Sequence, residues 1–218
     1  RKLYSYIARL NYDYNYKYIF NASYRRDAAN FFTEELRYGN FYALSAGWLL
    51  NREKFMENSF FDKLKLRISY GELGNAQIPS LNVIRFNQGF PYPFGQDQNV
   101  QQGGTVTATI QEDLTWETTY EFNFGIEFAL LSYRLSGELD LYKRINDNAI
   151  LPLKLPNTFG FDPFVSHVGE ITNSGAELSV NWNDKLNDIS YSIGTNIAYN
   201  KNELSNISNQ FFTNQIGG

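Results

Sequence analysis

The sequence contains no cysteine, so disulfide frameworks, thiolate metal centres and cysteine nucleophiles are excluded. It contains one histidine, His167. Any imidazole chemistry must use that ring, and only scattered carboxylates accompany it, so a loop or rim histidine is expected. The residues give no Ser–His–Asp order and no nucleophile elbow. Cationic excess is also missing. There are 19 Lys and Arg against 23 Asp and Glu, a net charge of −4, which argues against a nucleic-acid binder. No apolar run reaches the roughly 18–20 residues a membrane-crossing helix needs. The glycine pair in Gln102-Gly103-Gly104 lacks the Lys-Ser/Thr that would complete a phosphate loop. No cofactor or metal is expected, and no enzymatic activity.

Aromatic residues are abundant: 16 Tyr and 18 Phe in 218 residues. Such residues favour strands and would suit the interfacial belts of a membrane barrel. The mean hydropathy is −0.42 because apolar and polar residues are interleaved. The interleaving has period two. Tyr4, Tyr6, Ala8, Leu10, Tyr12 and Tyr14 share one face of a first strand, and Tyr18, Phe20, Ala22 and Tyr24 one face of a second. A third strand is expected about 41–50. The residues leave open whether Phe41, Ala43 and Leu49 or Tyr42, Leu44, Trp48 and Leu50 form its apolar side. In a fourth, about 63–71, Lys63, Lys65, Arg67 and Ser69 alternate with Leu64, Leu66, Ile68 and Tyr70. Four more are expected about 116–128, 133–142, 176–182 and 189–200.

The connections alternate in length. Short ones are expected at 13–16, near Leu131-Ser132 and across 183–187, with a moderate link at 51–62. Long ones fall at 26–40, 72–113 and about 145–172. Structureless loops this long are uncommon in soluble sandwiches. Outer-membrane barrels have short turns at one end, long loops at the other, and strands alternating apolar-out and polar-in. The fold expected is all-β: an antiparallel transmembrane β-barrel segment of about eight strands. A soluble β-sandwich or β-solenoid piece with one solvated face, a small stand-alone barrel and a non-transporting surface or adhesive domain stay open on the residues alone.

Several blocks then resemble one family. They are Arg25-Arg26-Asp27, Ser45-Ala46-Gly47-Trp48, Leu64 to Asn75 (LKLRISYGELGN), and Leu114 to Thr119 (LTWETT) with Asn123 and Gly125. Pro156 to Phe161 (PNTFGF), Val168 to Ser179 (VGEITNSGAELS) and Asn196 to Glu203 (NIAYNKNE) follow in the same order. In register from about residue 4 to 205, they resemble the SusC/RagA family of TonB-dependent outer-membrane transporters. The resemblance implies that residues 1–218 are a slice of a 22-stranded barrel whose plug domain, TonB box and last strands are not in the sequence. It implies import of oligosaccharides, glycans or peptides across the bacterial outer membrane, a SusD-like surface lipoprotein as partner, and the TonB complex acting through an N-terminal region. A lipid bilayer would surround the barrel.

On that reading Lys65 and Arg67 face the lumen. Glu117, Glu121, Glu127, Glu138 and Glu177 would form a lumen-facing wall that binds the plug or hydrates the passage. They are also what the polar side of any amphipathic strand would carry. Gly71 and Gly74 would release the chain into a long outer loop. Within 90–99, Phe90, Tyr92, Phe94, Gln96 and Asp97 mix aromatic faces with amide and carboxylate groups, as sugar-holding sites do. The alternative is an ordered Pro-aromatic loop packed on its neighbours or on a partner. The adjacent carboxylates Glu34-Glu35 and Glu112-Asp113 read as solvated loop charges, because neighbours on an extended chain point opposite ways.

Overall fold

A computed structural model describes residues 2–76, 85–96, 99–108, 114–153, 158 and 164–205. The strands are β1 (Leu3–Tyr14), β2 (Tyr18–Ala29), β3 (Tyr38–Leu49), β4 (Phe61–Asn75), β5 (Arg85–Phe94), β6 (Asn99–Ala108), β7 (Glu117–Leu130), β8 (Leu135–Leu153), β9 (Phe164–Leu186) and β10 (Ile189–Ser205). Eight of them pair antiparallel in one sheet ordered β1-β2-β3-β4-β7-β8-β9-β10, while β5 and β6 form a separate hairpin. The fold is the antiparallel β-barrel type expected, seen here as an open sheet.

The register sorts every strand of the large sheet by face. One row runs Asn11–Asn21–Ser45–Ser69–Asn123–Tyr142–Gly175–Asn200, and the adjacent row runs Tyr12–Phe20–Ala46–Ile68–Phe124–Leu141–Ala176–Tyr199. Polar and small residues therefore share one face and apolar ones the other. β3, ambiguous in sequence, is settled by its partners: Tyr42, Leu44, Ala46 and Trp48 join the apolar face. That face is bare. Tyr6 is 77% exposed, Ile68 58% and Ile193 66%. A soluble sandwich would cover such a face with a second sheet.

The short connections follow the chemistry of left-handed turns. Asn15 and Tyr16 both have φ 53° between β1 and β2, and the Tyr16 N–H donates to Asp13 Oδ1 at 2.9 Å. Asn187 has φ 55° between β9 and β10, a conformation asparagine tolerates well. Leu131, Ser132 and Tyr133 adopt it between β7 and β8. These turns and the 3-10 link between β3 and β4 lie at one end of the sheet, and side chains stitch them together. Arg52 Nη1 donates to the Tyr16 carbonyl at 2.9 Å, the Tyr133 N–H donates to Asp62 Oδ2 at 3.0 Å, and Arg134 pairs with Asp184 at 3.2 Å.

Two expectations are corrected here. Residues 72–113 are not one long loop: β4 runs through both glycines to Asn75, and β5 and β6 make a hairpin within that stretch. The loop expected at 145–172 is shorter, because β8 extends to Leu153 and β9 starts at Phe164, longer than the 176–182 strand read from alternation. In these outer extensions both faces can be solvated, so the two-residue period fades while the ladder continues.

Glu53 ties the turn end most tightly. It accepts from the Tyr18 hydroxyl at 2.7 Å, Trp48 Nε1 at 3.2 Å and Lys17 Nζ at 3.1 Å. These bonds, Tyr18's foremost, hold its carboxyl below the usual carboxylate range. The stabilisation is complete above the ordinary glutamate value of about 4.3 and fades as pH falls through the lowered folded value. Thermal unfolding across pH should show Glu53→Gln melting below the native protein near neutrality. That gap should close on acidification.

Candidate functional site

The polar face carries a ladder of charges across β4, β7 and β8. Glu127 accepts from Lys63 Nζ at 2.7 Å and Lys65 Nζ at 3.1 Å, and forms an ion pair with Arg67, whose Nε lies 3.0 Å away. Arg67 extends a second nitrogen to both oxygens of Asp140 at 3.1 Å, with Glu138 at 3.9 Å. This reach depends on Gly125, which stands between Arg67 and Asp140 in the register. A Cβ there would lie 2.8 Å from Asp140 Oδ1 and 2.9 Å from Arg67 Nη2. Three cations thus meet three carboxylates on neighbouring strands, a network rather than isolated surface pairs.

The remaining acidic residues picked from sequence sit on the same face. Glu121 pairs with Arg144 at 2.7 Å. Glu117 accepts from Asn75 at 3.0 Å and also from Asn146. Glu177 stands opposite Asp140 and is exposed. Sequence reading missed Asp140 and Arg144, although both fall on the polar alternation of β8. Between Arg9 and the Glu121–Arg144 pair lies a depression of about 720 Å³, floored by Asn21, Ser23, Ser45 and Ser69. Short side chains make the hollow, and their hydroxyls and amides can both donate and accept.

At the long-loop end a compact apolar cluster joins Ala29, Phe32, Phe41, Leu114, Trp116 and Ile150. Trp116 meets Phe41 edge-on at 5.5 Å between centroids and Phe32 at 5.6 Å, and its Nε1 donates to the Arg37 carbonyl at 3.3 Å. Arg25 lies over the Phe41 ring and pairs with buried Asp27 at 2.9 Å. The Phe41 ring occupies space that only glycine leaves: a Cβ on Gly74 would fall within it, and one on Gly39 would sit 2.5 Å away. Gly74 is therefore a packing position inside β4 and not the strand break read from sequence. His167 lies in β9, opposite Ile150 of this cluster, rather than in a loop.

Of the aromatic-amide segment, β5 carries Phe90, Tyr92 and Phe94, paired with Gly103, Gln101 and Asn99 of β6. Tyr92 is 49% exposed and Gln96 is exposed at the hairpin turn. Asp97 lies outside the described residues, as do Glu112 and Asp113. Residues Arg85–Phe94 are a strand of a hairpin and not part of one long loop.

The family model for "TonB dependent receptor-like, beta-barrel" matches residues 1–217. The chain belongs to the TonB-dependent receptor β-barrel family. It is 33% identical to TonB-dependent receptor P39 of Formosa agariphila over 206 residues, covering 93% of the chain and 19% of that receptor. It is 30% identical to TonB-dependent receptor SusC of Bacteroides thetaiotaomicron over 215 residues, covering 94% and 21%. Among solved structures, the RagAB peptide transporter superposes with a TM-score of 0.81 at 26% identity, over 94% of the chain and 22% of its own. The SusC/RagA resemblance is thereby shown. The chain spans about a fifth of the length of the curated relatives it matches.

Two substitution pairs test how this TonB-dependent receptor segment is built. Gly74→Ala must displace the Phe41 ring, whereas a Cβ at Gly71 meets only Ala43 at 3.7 Å. Gly74→Ala should cost about 1–3 kcal/mol in denaturant unfolding of the full-length receptor, and Gly71→Ala well under that. In the same assay Glu127→Gln, which strips three cations of their shared partner, should cost about 1–2 kcal/mol, and exposed Glu177→Gln less than about 0.5 kcal/mol.

Proposed function

We propose that residues 1–218 are part of the barrel domain of a larger outer-membrane importer that takes up oligosaccharides, glycans or peptides. The observation that carries this reading is the division of the middle of one eight-stranded sheet into a polar face and an uncovered apolar face. Lipid is the solvent that fits the apolar face. A charge placed there would cost about 2–4 kcal/mol at the bilayer midplane. Backbone groups in lipid must pair, so the outer edges of β1 and β10 would join further strands of a closed barrel. Kinship with SusC and with a structure described as a peptide transporter supports import.

In this reading the polar face is the lumen wall. Lys65, Arg67, Glu117, Glu121, Glu127, Glu138 and Glu177 hydrate the passage or seat a plug domain. The short turns face the periplasm and the long-loop end faces outward, where a SusD-like lipoprotein would cover the mouth. Phe90, Tyr92, Phe94, Gln96 and Asp97 would meet arriving substrate. Energy would come from the TonB complex through an N-terminal region. The chain's own residues perform no covalent chemistry.

Deleting the gene in its host should abolish growth on one class of oligosaccharide or peptide supplied as sole nutrient. The full-length gene should restore growth, but not in a strain lacking TonB. Unchanged growth of the deletion strain on every such source would sink the import reading. The protein should also sediment with outer membranes, and recovery in the soluble fraction would favour a surface β-domain.

A further inference from the structure

His167 bonds two backbone groups at once. The Thr115 N–H donates to its Nε2 at 3.0 Å, and its Nδ1 lies 2.8 Å from the Asn148 carbonyl oxygen. A peptide nitrogen can only donate, so Nε2 must be bare and the ring proton must sit on Nδ1, where the carbonyl accepts it. The arrangement is satisfied by the neutral ring alone. Asn148 is prepared for it: the register between β8 and β9 skips from Asn146 to Ala149, and Asn148 has φ 57°, the mark of a bulge.

The other end of the clasp is equally placed. Thr115 sits between Leu114 and Trp116, which are 3% and 5% exposed, in the apolar cluster of the long-loop end. Trp116 in turn packs on Phe32 and holds the Arg37 carbonyl. Fixing the Thr115 amide therefore fixes the entry to β7 and, through Trp116, the connection between β2 and β3.

We propose that His167 is a proton-operated latch that locks the Leu114–Trp116 segment when neutral and releases it when protonated. A proton on Nε2 sets N–H against N–H. Thr115 loses its acceptor, and an unpaired amide there carries a desolvation penalty. A proton and the Thr115 N–H compete for the same ring nitrogen, so a proton bound at Nε2 excludes the latched bond. Among the described residues, the charged groups at this end of the elements that meet here are Asp147 and Arg144 on β8, Glu117 on β7, Glu170 on β9, Arg25, Arg26 and Asp27 on β2, and Glu34, Glu35 and Arg37 between β2 and β3. Asp147 accepts from the Asn148 N–H, Glu117 from Asn75 and Asn146, and Glu170 from Thr172 and Ser205. On the importer reading, on which only the placement of the latch at the outer mouth rests, it would answer the acidity of the surroundings.

Hydrogen exchange by mass spectrometry on the full-length receptor in detergent tests the latch without any transport assay. It would be run at about pH 5 and about pH 8, either side of the ordinary imidazole range. After correction for chemical exchange rates, the native peptide covering 114–116 should lose about tenfold in protection at the acid pH. A peptide covering 135–142 of β8 should not. His167→Gln, whose amide can accept from Thr115 and donate to Asn148 but takes no proton, should show no acid step. Equal protection at both pH values, or the same step in His167→Gln, overturns the latch. Should that variant fail to fold, the native protein decides alone: a step confined to 114–116 supports the latch, and a step in both peptides or in neither refutes it.

Discussion

A slip of one residue between β4 and β7 would carry Lys65 and Arg67 away from Glu127 and Asp140 and onto the side occupied by Ile68 and Phe124. Every pairing in the large sheet is subject to that constraint, because strand faces alternate with a period of two and the ion ladder of β4, β7 and β8 lies on one face only. The glycines on the polar side serve the register as well. Gly125 leaves the gap through which Arg67 reaches Asp140, and a side chain there would displace one partner or the other. The ion ladder and the apolar face are thus two outcomes of one alignment.

Alternation was readable wherever one face meets a different solvent from the other. That is why β1, β2, β4, β7 and β10 could be placed from residues alone, and why the tyrosine-lined β1 was plain before any partner was known. β3 could not be oriented from sequence, since Phe41 and Leu49 compete with Tyr42 and Leu44 for the apolar side. Only pairing with β2 and β4 decides it, with Phe41 turning its ring into the apolar cluster of the long-loop end. The β5–β6 hairpin and the outer reaches of β8 and β9 escaped notice because their polar, proline- and glycine-bearing stretches carry no one-sided pattern. On the polar face, the acidic residues of β7 were legible as a set. Arg144, the partner of Glu121, and Asp140, the partner of Arg67, required the cross-strand register, and the clasp around His167 required the bulge at Asn148.

The two ends of the sheet are built on different principles. At the short-turn end, left-handed turn residues and a few carboxylates, Glu53, Asp62 and Asp184, join neighbouring connections through polar bonds. At the long-loop end, rings do the joining: Phe32, Phe41 and Trp116 gather around space vacated by Gly39 and Gly74. A polar rim suits turns that are short and already fixed by backbone conformation. An aromatic cluster suits longer connections, whose many conformations must be restrained by buried area.

The order of strands in the sheet also bears on assembly. β1 to β4 form one meander of sequential neighbours, and β7 to β10 form another. Each can zip from its own turns with little chain to organise. The join between β4 and β7 differs, for residues 76–116, the β5–β6 hairpin among them, separate the two strands in the chain, and bringing together strands that far apart carries an entropic cost that local hairpins avoid. Lys63, Lys65 and Arg67 meet Glu127 at this same seam. Among the described residues, the charge ladder lies where the chain is least helped by proximity, so it fastens the two meanders together.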